Sequence, residues 1–167
     1  ILPKGVTCVY VRQPEARGLG HAVLCAKPVV GNEPFAVILA DDLIDDGGVG
    51  CLAQMVQQFE QQGCSLLGVE EIAPDETDKY GIVDVTPWCD RLARVDAIVE
   101  KPKPDVAPST LAVVGRYILN PQIFNLLENQ PAGAGGEIQL TDAIARLLKE
   151  SLVLAYRFHG KRYDCCS

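Results

Sequence analysis

The first sign of chemistry in this sequence is an opposite-charge pair at the end of a largely apolar run. Residues 95–99 are followed by Glu100 and Lys101, and Pro102 comes next. Proline lacks the N–H that a sheet ladder needs and favours extended geometry in its predecessor, so the strand is predicted to stop here. Ligands of open α/β sheets bind outside the carboxyl ends of the strands. The pair therefore indicates either a ligand site or a solvated ion pair.

Two adjacent carboxylates, Asp41 and Asp42, follow the apolar residues 35–39. Mg²⁺ is commonly held by one or two carboxylates together with substrate phosphates, whereas a helix cap or an Asx turn is the other use of such aspartates. Because successive side chains of a strand point to opposite faces, only one of the two can face a cleft. We expect Asp41 to be the metal ligand, with Asp164 as a second candidate.

These two sites together favour one kind of ligand. A carboxylate that accepts from hydroxyls, an ammonium that neutralises a phosphate and an acidic metal site suit a sugar phosphate, with Glu100, Lys101 and Asp41 in these roles. Lys161 and Arg162, just before Asp164, are expected either to be exposed or to contact phosphate.

A third motif is the glycine pair Gly18 and Gly20, in RGLGHAV. Glycines let a backbone approach a flat ring or a phosphate closely, but a tight turn explains them equally well. The third glycine of the dinucleotide fingerprint is missing, which argues against a dehydrogenase.

The elements that position these residues alternate along the first half of the chain. Strands are predicted at residues 6–11, 35–39 and 65–71, with a short helix from residue 18 and a helix over 51–62 closed by Gly63. This order predicts an α/β fold with a parallel, doubly wound sheet. The second half has strands near residues 80–85, 91–100 and 111–120 with no long helix between the first two, which predicts an antiparallel hairpin. Helices are expected at 121–128 and 140–149, and a closing strand at 153–158.

Composition limits the function classes. The 167 residues predict one domain, and a net charge of -7 argues against nucleic-acid or anionic-membrane surfaces. The sequence has no apolar run long enough to span a bilayer. The seven cysteines form no CxxC motif, and we expect them to be reduced, small hydrophobic residues of a cytoplasmic protein.

The sequence resembles the bacterial UTP–glucose-1-phosphate uridylyltransferases of the sugar nucleotidyltransferase family. The resemblance is carried by seven motifs, which occur in this order: RGLGHAV, VILADD, YGIVD, VEKP, LAVVGRYIL, GEIQLTDAI and HGKRYDC. The resemblance covers practically the whole chain. It implies a Rossmann-like nucleotidyltransferase fold, with a mixed and mainly parallel sheet flanked by helices. It also implies formation of UDP-glucose and pyrophosphate from UTP and glucose-1-phosphate, with Mg²⁺, in a cytoplasmic homo-oligomer.

For the nucleotide and the metal, the resemblance implies that Gln13 and Gly18 contact uracil. It implies that Asp41 holds Mg²⁺ and that Asp164 lies on the metal side.

For the sugar phosphate, it implies that Gly81 and Glu100 face the sugar, that Lys101 binds the phosphate and that Val113 packs beneath the ring. Asp41 and Lys101 are the catalytic residues on this basis. Two further acidic residues would lie in or behind the site, Glu137 and Asp142.

The sequence also departs from the family. The glycine-rich loop with Thr-Arg and the following Pro-Lys are missing, as are the last helices, and Cys166 stands where the family has glycine. We therefore expect residues 1–167 to be a partial nucleotidyltransferase domain that is inactive alone. A catalytically dead or regulatory sugar-nucleotide-binding module is the alternative.

Overall fold

The structure, a computed structural model, describes residues 4–165, so Cys166 lies outside it. The α-helices are α1 (Leu19–Cys25), α2 (Lys27–Val30), α3 (Cys51–Gln62), α4 (Gln122–Glu128) and α5 (Leu140–Leu147). The strands are β1 (Phe35–Ile38), β2 (Asp42–Asp45), β3 (Ser65–Glu71), β4 (Gly81–Cys89), β5 (Leu92–Glu100), β6 (Leu111–Leu119), β7 (Val153–Arg157) and β8 (Lys161–Asp164). A 3-10 helix spans Pro74–Lys79.

Six strands form one mixed sheet in the order β1-β6-β3-β7-β5-β4, which confirms the predicted α/β class. The expectation of a mainly parallel sheet is wrong for the described residues, because β3–β7 is the one parallel pairing among them. Strand β6 lies between β1 and β3 and is antiparallel to both. β1 and β3 therefore run in the same direction, as the alternating pattern predicts, but they do not pair with each other.

Residues 6–11 do not form the predicted strand. The segment is exposed along its length, and Tyr10 is 95% exposed. Its β-branched and aromatic residues fit a pleated, half-buried surface, which requires a pairing partner. None of residues 4–165 pairs with this segment, so it forms no strand despite its high β-propensity.

The core lies on both faces of the sheet. Successive residues of β3 point to opposite faces, so Leu67 packs with the helices α1, α4 and α5, whereas Leu66 packs with α3. Phe124 of α4 and Met55 of α3 are almost completely buried in these two layers. Burying a side chain of this size contributes about 1.5–3 kcal/mol. Helix α3 has its predicted bounds, and it ends at Gly63 in a left-handed conformation.

Strands β4 and β5 form the predicted antiparallel hairpin, in which Gly81 lies opposite Glu100. The closing strand predicted at 153–158 is confirmed as β7, and a further strand, β8, follows it. β7 belongs to the large sheet, and β8 pairs with β2 in a separate two-stranded ribbon. The chain turns at Gly160, whose φ is +140° and where a Cβ atom would lie 2.9 Å from the carbonyl oxygen of Asp45. The ribbon places Asp42 opposite Asp164.

Within residues 4–165, every helix is too short or too polar to cross a membrane.

Candidate active site

A cavity of about 760 Å³ opens between the ends of β4 and β5, the start of α5 and the β2–β8 ribbon. Six of the residues predicted for the site line this cavity: Asp41, Gly81, Glu100, Lys101, Val113 and Asp164. Glu137 also lines it, whereas Asp142 is not among the lining residues and lies near Gly133. The structure therefore brings together the predicted metal side and the predicted sugar-phosphate side.

The sugar-phosphate side is organised around the Glu100 carboxylate. The Thr141 hydroxyl donates a hydrogen bond of 2.6 Å to Glu100 Oε2 from the first turn of α5. Gly81 lies against this bond, since a Cβ atom there would be 3.3 Å from Thr141 Oγ1 and 3.5 Å from Glu100 Oε2. Thr141 thus fixes one carboxylate oxygen of Glu100. Sequence reasoning missed this threonine, although it lies within the GEIQLTDAI motif.

Lys101 does not continue the strand, because β5 ends at Glu100 and the backbone of Lys101 is left-handed, with a φ of +45°. This conformation costs a residue other than glycine about 1–3 kcal/mol, so it persists only where the surroundings impose it. Here the Lys101 N–H donates to the Tyr80 carbonyl at 2.9 Å. The carbonyl of the buried Pro102 accepts from the Thr77 hydroxyl at 3.2 Å. The turn directs both Glu100 and Lys101 to the same cavity.

The metal side of the cavity, called the acidic side below, is lined by Asp41, Asp42 and Asp164, and Arg162 lies at its centre. The Arg162 side chain is only 7% exposed and forms ion pairs with Asp42 and Asp164, so the expectation that it is exposed is wrong. Arg162 lines the cavity, and its contact with phosphate stays a prediction. Asp42 is also buried and accepts the Gly115 N–H at 2.7 Å. Burial lowers the pKa of Arg162, but its hydrogen bonds to Tyr80 and Asp42 outweigh this effect and raise it. Arg162 therefore stays charged, and its ion pair with Glu70 of β3, at 3.8 Å, connects the ribbon to the sheet.

The neighbouring aspartates differ in their surroundings. Asp42 is engaged with Arg162 and Gly115, whereas Asp41 is exposed at the cavity wall. Asp164 lines the same cavity, and the backbone N–H of Cys165 binds the Asp41 carbonyl at 2.8 Å. Two carboxylates suit a magnesium ion that completes its coordination with substrate phosphates. No group of three or more acidic, histidine or cysteine side chains arranged to hold a metal occurs among the described residues.

Gln13 and Gly18 lie together but outside the cavity lining. Gln13 Nε2 donates to the Gly18 carbonyl at 3.1 Å and is 3.0 Å from His21 Nδ1. A carbonyl only accepts, so this end of the amide is the NH₂ group and His21 Nδ1 must be the acceptor. A Cβ atom on Gly18 would lie 2.8 Å from Cβ of Glu137, which lines the cavity together with Leu19. The pair therefore lies at one end of the cavity.

Not all cysteines behave as the sequence predicted. Cys51 and Cys64 are buried, and burial raises the pKa of the Cys51 thiol to about 11. Cys8, Cys89 and Cys165 are exposed, so the expectation of small buried hydrophobes is wrong for them.

This sequence and this fold match those of known proteins. A family model described as nucleotidyl transferase matches residues 3–164, so the chain belongs to the nucleotidyl transferase family. Among curated relatives, a UTP–glucose-1-phosphate uridylyltransferase of Pseudomonas aeruginosa PAO1 is 51% identical over 162 residues. The alignment covers 96% of this chain and 58% of that relative. An enzyme of the same name from Bacillus subtilis 168 is 49% identical over 155 residues, with 93% and 53% covered.

Solved structures give the same result. A UDP-glucose pyrophosphorylase complexed with UDP-glucose superposes with a TM-score of 0.93 at 45% identity, covering 95% of this chain and 61% of that one. A UTP-bound enzyme from Acinetobacter baumannii gives 0.87 at 45% identity, covering 98% and 57%. The resemblance predicted from the motifs is confirmed. The chain spans little more than half the length of these relatives.

Proposed function

We propose that this chain is the sugar-binding and base-binding part of a UTP–glucose-1-phosphate uridylyltransferase, which forms UDP-glucose and pyrophosphate. The observation that carries the proposal is a single cavity with Glu100 and Lys101 on one side and Asp41 and Asp164 on the other. The relatives with this name, at about half identity across nearly the whole chain, support it.

The sugar phosphate would bind at the end of the hairpin. Glu100, with one oxygen held by Thr141, accepts hydrogen bonds from the sugar hydroxyls, and the absence of a side chain at Gly81 lets the sugar approach the backbone. Val113, only 7% exposed, forms an apolar floor beneath the ring. The Lys101 ammonium neutralises the phosphate, and its left-handed backbone sets the direction of the side chain.

Asp41 and Asp164 would hold Mg²⁺ at the opposite side of the cavity. When bound there, the ion would neutralise charge on the phosphates of both substrates. Asp42 is not proposed as a ligand, because its carboxylate is engaged with Arg162 and the Gly115 N–H.

The reaction itself needs no covalent nucleophile from the protein. A phosphate oxygen of glucose-1-phosphate attacks the α-phosphorus of UTP in line, the bond to the bridging oxygen of the β-phosphate breaks, and pyrophosphate leaves. The protein contributes alignment and charge neutralisation, and these dominate catalysis of phosphoryl transfer. Lys101 lowers the repulsion between the attacking phosphate and the triphosphate, which makes the aligned complex accessible.

Gln13 and Gly18 would bind the uracil. Both hydrogens of the Gln13 amide are used by Gly18 and His21, so its carbonyl oxygen is the group that can face a base. Uracil offers an N3–H donor to such an acceptor, whereas cytosine has an acceptor at N3.

We further propose that residues 1–167 belong to one nucleotidyltransferase domain, that the protein is cytoplasmic and that the whole protein is a homo-oligomer. The free cysteines are consistent with a reducing compartment. Light scattering of the whole protein would determine its oligomeric state.

Pyrophosphate release from UTP, glucose-1-phosphate and Mg²⁺ tests the proposal. We expect turnover by the whole protein and none by residues 1–167 alone, with omission of glucose-1-phosphate as the control. A whole protein that binds UDP-glucose in calorimetry but never releases pyrophosphate would instead be a regulatory binding module.

A further inference from the structure

Tyr80 connects the two sides of the cavity. It lies immediately before β4 and lines the cavity. Its backbone carbonyl accepts the N–H of Lys101 at 2.9 Å, and its hydroxyl donates to Asp164 Oδ2 at 2.8 Å. One residue therefore contacts both the proposed phosphate-binding lysine and a proposed metal ligand.

The bonding of the hydroxyl has a fixed direction. A carboxylate only accepts, so the phenolic proton points to Asp164, and the Tyr80 oxygen accepts from Arg162 Nη1 at 3.4 Å. Arg162 Nη2 donates to the same Oδ2 atom of Asp164 at 3.3 Å. The Arg162 guanidinium also lies over the Tyr80 ring, 4.7 Å from its centroid. Two donors on one carboxylate oxygen restrict the rotation of the Asp164 side chain.

The place of Asp164 in the fold gives this restraint a role. It ends β8, which pairs with β2 in a two-stranded ribbon outside the six-stranded sheet. The Asp164 side chain is 37% exposed, so packing does little to fix its rotamer. The hydrogen bond between Lys101 and Tyr80, in contrast, joins the two backbones and does not involve the Tyr80 hydroxyl.

On the basis of the proposed function, we propose that Tyr80 is a positioning residue for the metal site. Its hydroxyl orients Asp164 toward the cation, while its backbone anchors the turn at Lys101. Removal of the hydroxyl should therefore weaken metal binding and leave use of glucose-1-phosphate almost unchanged. A residue with a purely structural role would affect both.

The test is Tyr80→Phe in the whole protein, with Tyr163→Phe as the matched control. Tyr163 is adjacent to Asp164 in the sequence, but it is exposed and its ring contacts Lys161 Nζ at 5.0 Å. The measurements are Mn²⁺ affinity by electron paramagnetic resonance, the Mg²⁺ concentration for half-maximal pyrophosphate release, and KM for glucose-1-phosphate. Loss of a partner that orients a metal ligand typically weakens metal affinity about 10-fold, and we expect this for Tyr80→Phe.

For the same variant we expect an unchanged KM for glucose-1-phosphate and an unchanged unfolding midpoint, and the control should match the parent throughout. Parental Mn²⁺ affinity in Tyr80→Phe would overturn the inference, as would a parent that binds no Mn²⁺. A decrease in Mn²⁺ affinity that is matched by an equal rise in KM for glucose-1-phosphate would also overturn it. If the parent binds Mn²⁺ but releases no pyrophosphate, the proposed function fails, while the Mn²⁺ data still decide the role of Tyr80.

Discussion

The sugar-phosphate side of the cavity has its charged pair, Glu100 and Lys101, at the end of one hairpin, whereas the acidic side joins segments that are distant in the sequence. In the hairpin, Gly81 lies opposite Glu100 in the β4–β5 pairing. On the acidic side, Asp42 and Arg162 meet although 120 positions separate them. The first side is held by the ladder of the sheet and the second by buried charges. We therefore expect substitutions on the sugar-phosphate side to change substrate use, and those in the buried acidic network to change stability.

Within the acidic side, Asp41 and Asp42 show the same contrast at adjacent positions. Asp41 is exposed at the cavity wall, and Asp42 is buried with Arg162. Identical side chains should therefore have separable effects on activity and on folding.

The largest effect is expected for Asp41→Asn in the whole protein. It removes a negative charge that would hold Mg²⁺, and we expect kcat to fall by up to about 10³-fold, as for other losses of electrostatic stabilisation of a transition state. Because Asp41 is exposed, the urea midpoint should stay at the parental value. A kcat within a few-fold of the parent would remove Asp41 from the metal site.

Asp42→Asn is expected to act on folding instead. Both partners of the Asp42–Arg162 pair are less than 10% exposed, and removing one charge of such a pair costs about 3–5 kcal/mol. Asparagine keeps one acceptor for the Gly115 N–H, so we expect the lower end of this range in urea unfolding. If Asp42→Asn retains parental stability and loses Mg²⁺-dependent turnover, Asp42 acts in the metal site and not in folding.

Lys101→Ala should affect one substrate only. Loss of a charged donor to a phosphate typically costs about 2–4 kcal/mol, so we expect kcat/KM for glucose-1-phosphate to fall about 100-fold. The apparent affinity for UTP should be nearly unchanged, because Lys101 lies on the hairpin side of the cavity. Equal weakening for both substrates would mean that Lys101 does not distinguish them.

The smallest effect is expected for Glu100→Gln. Glutamine keeps the shape and an acceptor for the Thr141 hydroxyl, but the hydrogen bonds to sugar hydroxyls are no longer charge-assisted. Loss of such a contribution corresponds to about a 10-fold decrease in the preference for glucose-1-phosphate over other hexose 1-phosphates. Preference ratios equal to the parent's would make the Glu100 carboxylate irrelevant to sugar recognition.

The hairpin side of the site could be predicted from the sequence because its signals are local. Pro102 marks the end of β5, the short connection between the β4 and β5 patterns indicates a hairpin, and Gly63 ends α3 as expected. Even there, the left-handed backbone of Lys101 was missed, since a residue before proline normally stays extended.

The acidic side was harder to predict because it depends on long-range pairing. Nothing near Arg162 in the sequence indicates that it is buried with Asp42, or that a second strand begins after Gly160 and pairs with β2. The position of β6 between β1 and β3 likewise depends on the pairing of strands across the whole sheet. Residues 6–11 show the reverse case, in which strong local propensity forms no strand without a partner.

The most direct test of the proposed cavity is a crystal structure of the whole protein with UDP-glucose and Mn²⁺, in which anomalous scattering locates the metal. We expect the glucosyl unit to lie against Gly81 and Glu100, with Val113 beneath it, and Mn²⁺ to be bound by Asp41 and Asp164. A glucosyl unit outside this cavity, or a metal on Asp42 in place of Arg162, would contradict this expectation.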